Sequence, residues 1–354
     1  MSAFFAFDIG YEVSLDKLNT LTSAVPVQPL SPKKRTPSSI QYARPPRVMN
    51  LGTHEIAPSY SSQIQATTFD FGVISIVFKF PLPTHTPEDV VELPAIAQQI
   101  YNANLTVEAR RQAEAFMKSI EPAIAQPRFS PLVEDYYVFV LERLSEPMRG
   151  DELLSRYRSV LTQTLRFETA TLSAEQQEDA LRQRLSYYER DLLLIDWNAA
   201  IIYDQDYEDT LRVLELLNVE LLEARYIDSE LDKRVEDCAR LAHGGPGFRV
   251  PFRGVFVKDT QELAELRIES TLLAERIGNS LKLIGDLYLA RAYSAGAERF
   301  YLRQWERAIS HKLDVIEDFY EVVTDRVRTA QGHGLEIVVI ALILVELLLA
   351  LFRH

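Results

Sequence analysis

The stretch that most limits what this chain can fold into is 335–352, LEIVVIALILVELLLALF, where only Glu336 and Glu346 interrupt 18 residues of otherwise apolar side chains. As an α-helix it would be about 27 Å long, close to the roughly 30 Å of a bilayer's hydrocarbon core. A helix apolar on every face has to be surrounded by protein or by lipid. The run therefore reads as one transmembrane helix, entered at Leu335 and Glu336 behind Gly332 and Gly334 and closed by Arg353 and His354. Arg326 and Arg328 just ahead of it agree with a cytoplasmic start. The opening MSAFFAFDIGYEV has no basic region, long apolar core or cleavage site of a secretory leader. The expected layout is a tail-anchored protein, a membrane protein with its bulk in the cytoplasm. Glu346 sits near the middle of the span, where an acid costs on the order of 3 kcal/mol. It either bonds a helix of another copy or of another protein, or snorkels to an interface. Glu346, Glu336 and Leu335 are thus the candidate membrane and oligomerisation residues, with a homo-oligomer as the expected partner.

The remainder of the 354 residues has ordinary globular composition, 47% hydrophobic and 25% charged, which excludes disordered, collagenous and disulfide-scaffold classes. The single Cys238 can close no intrachain disulfide. The net charge of −13 is concentrated between 151 and 331, and an acidic surface repels phosphate backbones. Nucleic acid is therefore an unfavourable partner. Lys33, Lys34 and Arg35, with Arg44 and Arg47, form a basic cluster inside a Pro-rich loop over 25–60. It reads as a solvated loop, with an RNA contact as the alternative.

Periodicity divides the chain into unlike parts. MSAFFAFDI, ATTFDFGVISIVFKF, YYVFVLERL and LLLIDWNAAIIYD carry strand signatures. Between them lie helical patterns: YEVSLDKLNTL opened by Ser14, 87–120 broken near Asn104, DELLSRYRSVLTQTLRF, and SAEQQEDALRQRLSYYERD with Ser173 in a capping box to Gln176. This predicts an α+β domain over 1–205, of split βαβ type. Apolar steps of three and four then run from Leu211 to Ala242, from about Thr260 to Ala295, and from Trp305 to Val327. They predict an antiparallel helical bundle or coiled coil over 206–331, with a Gly-rich loop at 243–259.

Chemistry-bearing motifs are few. Asp204, Asp206, Glu208 and Asp209, with Asp196 upstream, present clustered carboxylate oxygens suited to Mg²⁺ or Ca²⁺, although the same acids suit the start of a helix near Tyr207. HGGPGF at 243–248 lacks the endings of nucleotide-binding loops. The flanking RVPFRGVFV combines Phe248, Phe252 and Phe256 with Arg249 and Arg253, in a loop that packs on the bundle or touches a lipid or protein partner. The six His residues have no metal-ligand spacing, and no nucleophile motif occurs. No catalytic residue and no cofactor is expected.

GLEIVVIALILVELLLAL, with Leu335, Glu336 and Glu346, resembles the C-terminal signature of the required for meiotic nuclear division family, with Ile337 where that family carries Trp. DLYLARAY at 286–293, Trp305 and KLDVIEDFY at 312–320 look like its helical hairpin, and FDFGVISIVF at 69–78 resembles its N-terminal strand. The resemblance implies a membrane-anchored, oligomeric protein with no established enzymatic activity, whose mitochondrial members are associated with organellar translation. The expected function is an oligomeric scaffold or interaction module. The alternatives are a metal-dependent enzyme at 204–209 and an RNA- or ribosome-associated anchor.

Overall fold

Every residue of the first strand, β1 (Ser2–Asp8), is buried. Only a strand in the middle of a sheet, covered on both faces, can bury SAFFAFD in this way. The computed structural model describes residues 1–23, 25–26, 45–57, 60–82, 84, 86–142, 144–242, 267–268, 271–272 and 287–322. Contacts divide the chain into two units, Met1–Tyr226 with Leu273–Gln304, and Ile227–Leu272 with Trp305–His354.

The first unit is mixed α/β. Its large sheet takes in β1, β3 (Val25–Pro26), β4 (Arg47–Ala57), β5 (Tyr60–Thr68), β6 (Val73–Lys79), β8 (Glu134–Leu141), β9 (Gln183–Leu185), β10 (Leu192–Ile195) and β11 (Ala199–Tyr203). The spatial order is β3-β4-β5-β6-β1-β8-β11-β10-β9, while β2 (Glu12–Val13) and β7 (Ile124–Ala125) pair separately. Neighbours are antiparallel except β8 and β11, which run parallel. The long apolar run 66–80 is two strands and not one. It folds back at Asp70–Gly72, and Gly72 has φ +86 with a Cβ position that would fall 1.9 Å from the Gly10 carbonyl. Only glycine fits there.

Alternation along the strands sends two sets of side chains to two faces. Phe5, Phe7, Ile76, Phe78, Tyr137 and Phe139 share one core with Ile96 and Ile100 of α2 (Leu93–Asn102), Phe116 of α3 (Leu105–Ile120), and Leu161 and Leu165 of α5 (Arg158–Arg166). Each such fully buried side chain contributes about 1.5–3 kcal/mol. The opposite face, with Phe4, Ala6 and Ser75, lies under α7 (Glu208–Ala242), whose Asn218 Nδ2 donates to the Glu134 carbonyl at 3.1 Å. Local signals are satisfied as well. Ser14 caps α1 (Leu15–Leu21), and Ser173 accepts from the Gln176 N–H at the head of α6 (Ala174–Ala180). Asn104, at φ 48, separates α2 from α3.

Three expectations are corrected. The fold is a mixed α/β part with a large sheet followed by helices, and among the described residues no helix is long and apolar enough to cross a membrane. The transmembrane helix, and with it the tail-anchored layout and the membrane location, is therefore withdrawn; the run 335–352 itself, with Leu335, Glu336 and Glu346, lies outside the described residues. The second of the three bundle helices is also revised. Its described end belongs to α8 (Leu287–Arg299), which packs on β9 and β10 of the sheet. The sheet covers part of its apolar face, and α7 also meets it, where the Tyr293 hydroxyl donates to Glu220 at 2.6 Å and a Cβ at Gly296 would fall 2.4 Å from Leu217. Finally, SAEQQEDALRQRL is not one helix: α6 stops at Ala180, and Gln183–Leu185 pairs with β10 as the edge strand β9. The basic residues Lys33, Lys34 and Arg35 and the Gly-rich loop 243–259 lie outside the described residues.

In the second unit, the end of α7 and the helix α9, which runs over 302–322 from the end of the first unit, are joined by Lys312, whose Nζ lies 2.7 Å from Asp228 and 2.6 Å from Asp232. Leu231, Ile309, Leu313 and Ile316 are buried.

Candidate functional site

Where β9 ends the sheet, the strand, the following loop and α4 (Gly150–Arg156) enclose a cavity of about 600 Å³. Its floor is apolar, from Leu154, Leu185 and Leu192, and Ser155 and Ser186 add hydroxyls. Arg149, Arg158 and Arg184 line it, as do the acids Asp151 and Glu189. Arg149 reaches Asp151 through Nε at 3.0 Å, an ion pair that holds the Asp151 carboxyl below the usual carboxylate range. Arg158 pairs with Glu178 of α6 at 2.5 Å. Arg184, on the edge strand, has no ion-pair partner among the described residues.

The walls are set by close backbone contact. Asp191, 2% exposed, accepts from the N–H groups of Tyr187 at 2.7 Å and Tyr188 at 2.8 Å, which closes the loop between β9 and β10. The Gly150 N–H donates to the Glu189 carbonyl at 2.9 Å, and a Cβ at Gly150 would fall 2.3 Å from the Asp191 carbonyl. The glycine allows α4 to start against the loop.

Behind this edge lies a network of opposite charges. Asp196 at the β10–β11 turn is 0% exposed, and Arg299 of α8 donates to its Oδ1 through Nε at 2.8 Å. The same guanidinium bonds Asp179 Oδ2 at 2.8 Å, and Arg166 joins both acids, at 2.7 Å to Asp179 and 2.5 Å to Asp196. The Tyr136 hydroxyl donates to the Asp196 carbonyl at 2.8 Å. Bonds from Arg299 and Arg166 hold the Asp179 carboxyl well below the usual range. For Asp196 burial dominates and pushes the carboxyl up, despite the same two arginines. Charge-assisted bonds between planar forks of this kind fix geometry.

A second cavity, of about 370 Å³, opens at the carboxyl ends of the parallel pair β8 and β11, lined among others by Glu142, Arg190, Tyr203 and Asp204. The Tyr203 hydroxyl donates to the Met148 carbonyl at 3.0 Å and accepts from its N–H at 3.2 Å.

The acidic tract is placed as follows. Asp204 Oδ1 accepts the Asp206 N–H at 3.1 Å, Glu208 and Asp209 occupy the first turn of α7, and Asp209 meets Arg212 at 3.4 Å. Among the described residues no group of three or more His, Cys, Asp or Glu side chains is arranged to hold a metal ion. Sequence reading missed Arg149, Arg158 and Arg184, which are single charges on unrelated elements. Asp196 carried a usable signal, a lone acid and Trp197 inside the apolar run LLLIDWNAAIIY. A buried acid demands a cation, but nothing local points to Arg299, 103 residues away.

These features define an α/β protein with helices on both faces of a large sheet and an arginine-lined cavity at one sheet edge. The family model described as "Uncharacterized protein MJ0711, N-terminal domain" matches residues 1–210, and the chain belongs to this family. A relative, "Uncharacterized protein MJ0711" of Methanocaldococcus jannaschii, is 26% identical over 268 residues, covering 75% of this chain and 76% of the relative. No solved structure matches. The resemblance to the required for meiotic nuclear division family is thereby corrected. It rested on Glu336 and Glu346 within an apolar tail and on short apolar and aromatic patterns such as DLYLARAY and FDFGVISIVF, whose residue types burial selects in any core strand or helix.

Proposed function

We propose that the α/β unit is a receptor for a small anionic ligand, held in the cavity between α4, α5 and the β9–β10 loop. The observation that carries this reading is the convergence of Arg149, Arg158 and Arg184 on one 600 Å³ cavity with an apolar floor. Ligand sites are typically clefts of about 300–1,000 Å³, mostly apolar, with a few placed polar groups. The guanidinium fork matches carboxylate and phosphate oxygens in pairs. Arg184 is available to an incoming anion, while Arg149 and Arg158 exchange or share their carboxylate partners. Calorimetry of the full chain with inorganic phosphate, pyrophosphate, citrate and nucleoside monophosphates tests the reading. At least one is expected to bind, and Arg184→Glu to weaken it at least about tenfold without moving the melting temperature. Absence of binding across the panel overturns it.

A second reading, an interaction module that self-associates through its helical unit, is favoured by exposed apolar side chains there. Ile268, Leu272, Val315 and Val322 are 43–52% exposed. Light scattering over a range of concentrations tests it; a monomer mass throughout sinks it.

A further inference from the structure

The segments that follow the parallel strands β8 and β11 part to opposite faces of the sheet. After Leu141 the chain turns to α4 and α5, whose Leu153, Leu161 and Leu165 join the core around Phe5 and Phe139. After Tyr203 it turns to α7, which covers the face of Phe4 and Ala6 and bonds the Glu134 carbonyl through Asn218. Neighbouring parallel strands whose continuations part in this way leave a crevice beyond their carboxyl ends, where α/β sheets hold small ligands. The 370 Å³ cavity lies in that crevice.

Strand register places its charges. Leu141 pairs with Tyr203, and Tyr203 with Leu192. Glu142, Asp204 and Arg190 therefore leave neighbouring strand ends in the order β8, β11, β10, and the ends that carry Glu142 and Arg190 are two strand spacings apart, about 10 Å. All three residues line the cavity, together with Leu144 and Ser145. Among the described residues neither Glu142 nor Arg190 has an ion-pair partner. Opposite charges thus enter one small space without pairing. The walls around them are fixed by other groups. Buried Tyr203 accepts the Met148 N–H and donates to the Met148 carbonyl, which ties the segment after β8 to β11. Asp191 holds the loop that carries Arg190 through the N–H groups of Tyr187 and Tyr188.

We propose that this crevice is a second binding site, for a free amino acid whose carboxylate pairs with Arg190 and whose ammonium pairs with Glu142 beside Asp204. A guanidinium fork matches a carboxylate through two parallel bonds. A simple anion would meet Glu142 and Asp204, and a simple cation would meet Arg190. The mixed lining disfavours both and suits a ligand that carries the two charges together. Leu144 gives the ligand's side chain an apolar neighbour. The volume falls at the small end of the roughly 300–1,000 Å³ typical of such sites.

Calorimetry of the full chain against each of the protein amino acids, with propionate and ethylamine as single-charge controls, tests the site. At least one amino acid is expected to bind, and the controls are not. Arg190→Gln and, separately, Glu142→Gln are each expected to weaken that binding at least about tenfold. Both side chains are exposed, so the melting temperature of the unliganded chain should not move; if one variant fails to fold, the other decides. Arg184→Glu, in the first cavity, is expected to leave amino-acid binding unchanged, which separates the two sites. No binding by any amino acid overturns the proposal, as does binding that survives both substitutions. Propionate bound as tightly as the amino acid overturns it too, and assigns a plain anion site to Arg190.

Discussion

Asp196 and Asp179 share two arginines, yet their carboxyls move in opposite directions, because one is fully enclosed and the other is partly in solvent. For Asp179 the sign is clear. Its ordinary value of 3.8 is lowered in the fold, so its ion pairs stabilise fully above that value and are lost as pH falls toward the folded one. Asp179→Asn should cost about 1 kcal/mol at pH 7, the cost shrinking as pH falls below about 4; urea melts of both proteins across that range measure it. Gly150 offers a second test at this scale. Its missing Cβ lets α4 start against the loop, where an added Cβ would fall 2.3 Å from the Asp191 carbonyl, so Gly150→Ala should destabilise by roughly 2 kcal/mol and weaken anion binding; denaturation and calorimetry together report both effects. The need for a glycine here depends on a contact with Asp191, and no local pattern in GDELLSR announces it.

Among the elements, α8 is the one whose role depends most on distant partners. Its apolar stripe is legible as a helix, but the same stripe fits another helix or a sheet equally well. It meets both: the helix packs on β9 and β10 and reaches Asp196 through Arg299, while its Tyr293 hydroxyl donates to Glu220 of α7 at 2.6 Å. Arg299→Met leaves Asp196 buried without its main cation and should cost about 3–5 kcal/mol. Combining it with Asp196→Asn should cost less than the sum of the single changes, with a coupling of about 1–3 kcal/mol; a double-mutant cycle by chemical denaturation checks this, and additive costs would show the pair to be independent. Strand β9 makes the complementary point. Gln183–Leu185 continues a helical pattern, but the open edge of β10 offers backbone partners that a further helical turn does not.

At the scale of the molecule, the family match ends at 210, whereas the first unit also draws in Leu273–Gln304. A chain of 1–226 alone should therefore be poorly stable, with Asp196 lacking Arg299 and Glu220 lacking Tyr293 at 2.6 Å. Supplying 273–304 as a separate peptide should raise its melting temperature; no change on addition would show that the returning helix is dispensable. What the sequence by itself determined was local: strands from alternation, helix starts from Ser14 and Ser173, the break at Asn104, and the long helix behind the acidic tract. These follow from side-chain direction and backbone satisfaction within a few residues. It also suggested a membrane span and a family that the fold and comparisons do not support, because apolarity alone does not say what covers it. Only the tertiary structure decided which strand lies at the centre, which arginines share a cavity and which acid meets Arg299. Those pairings include residues more than 100 positions apart, and their energy exists only once the chain has closed.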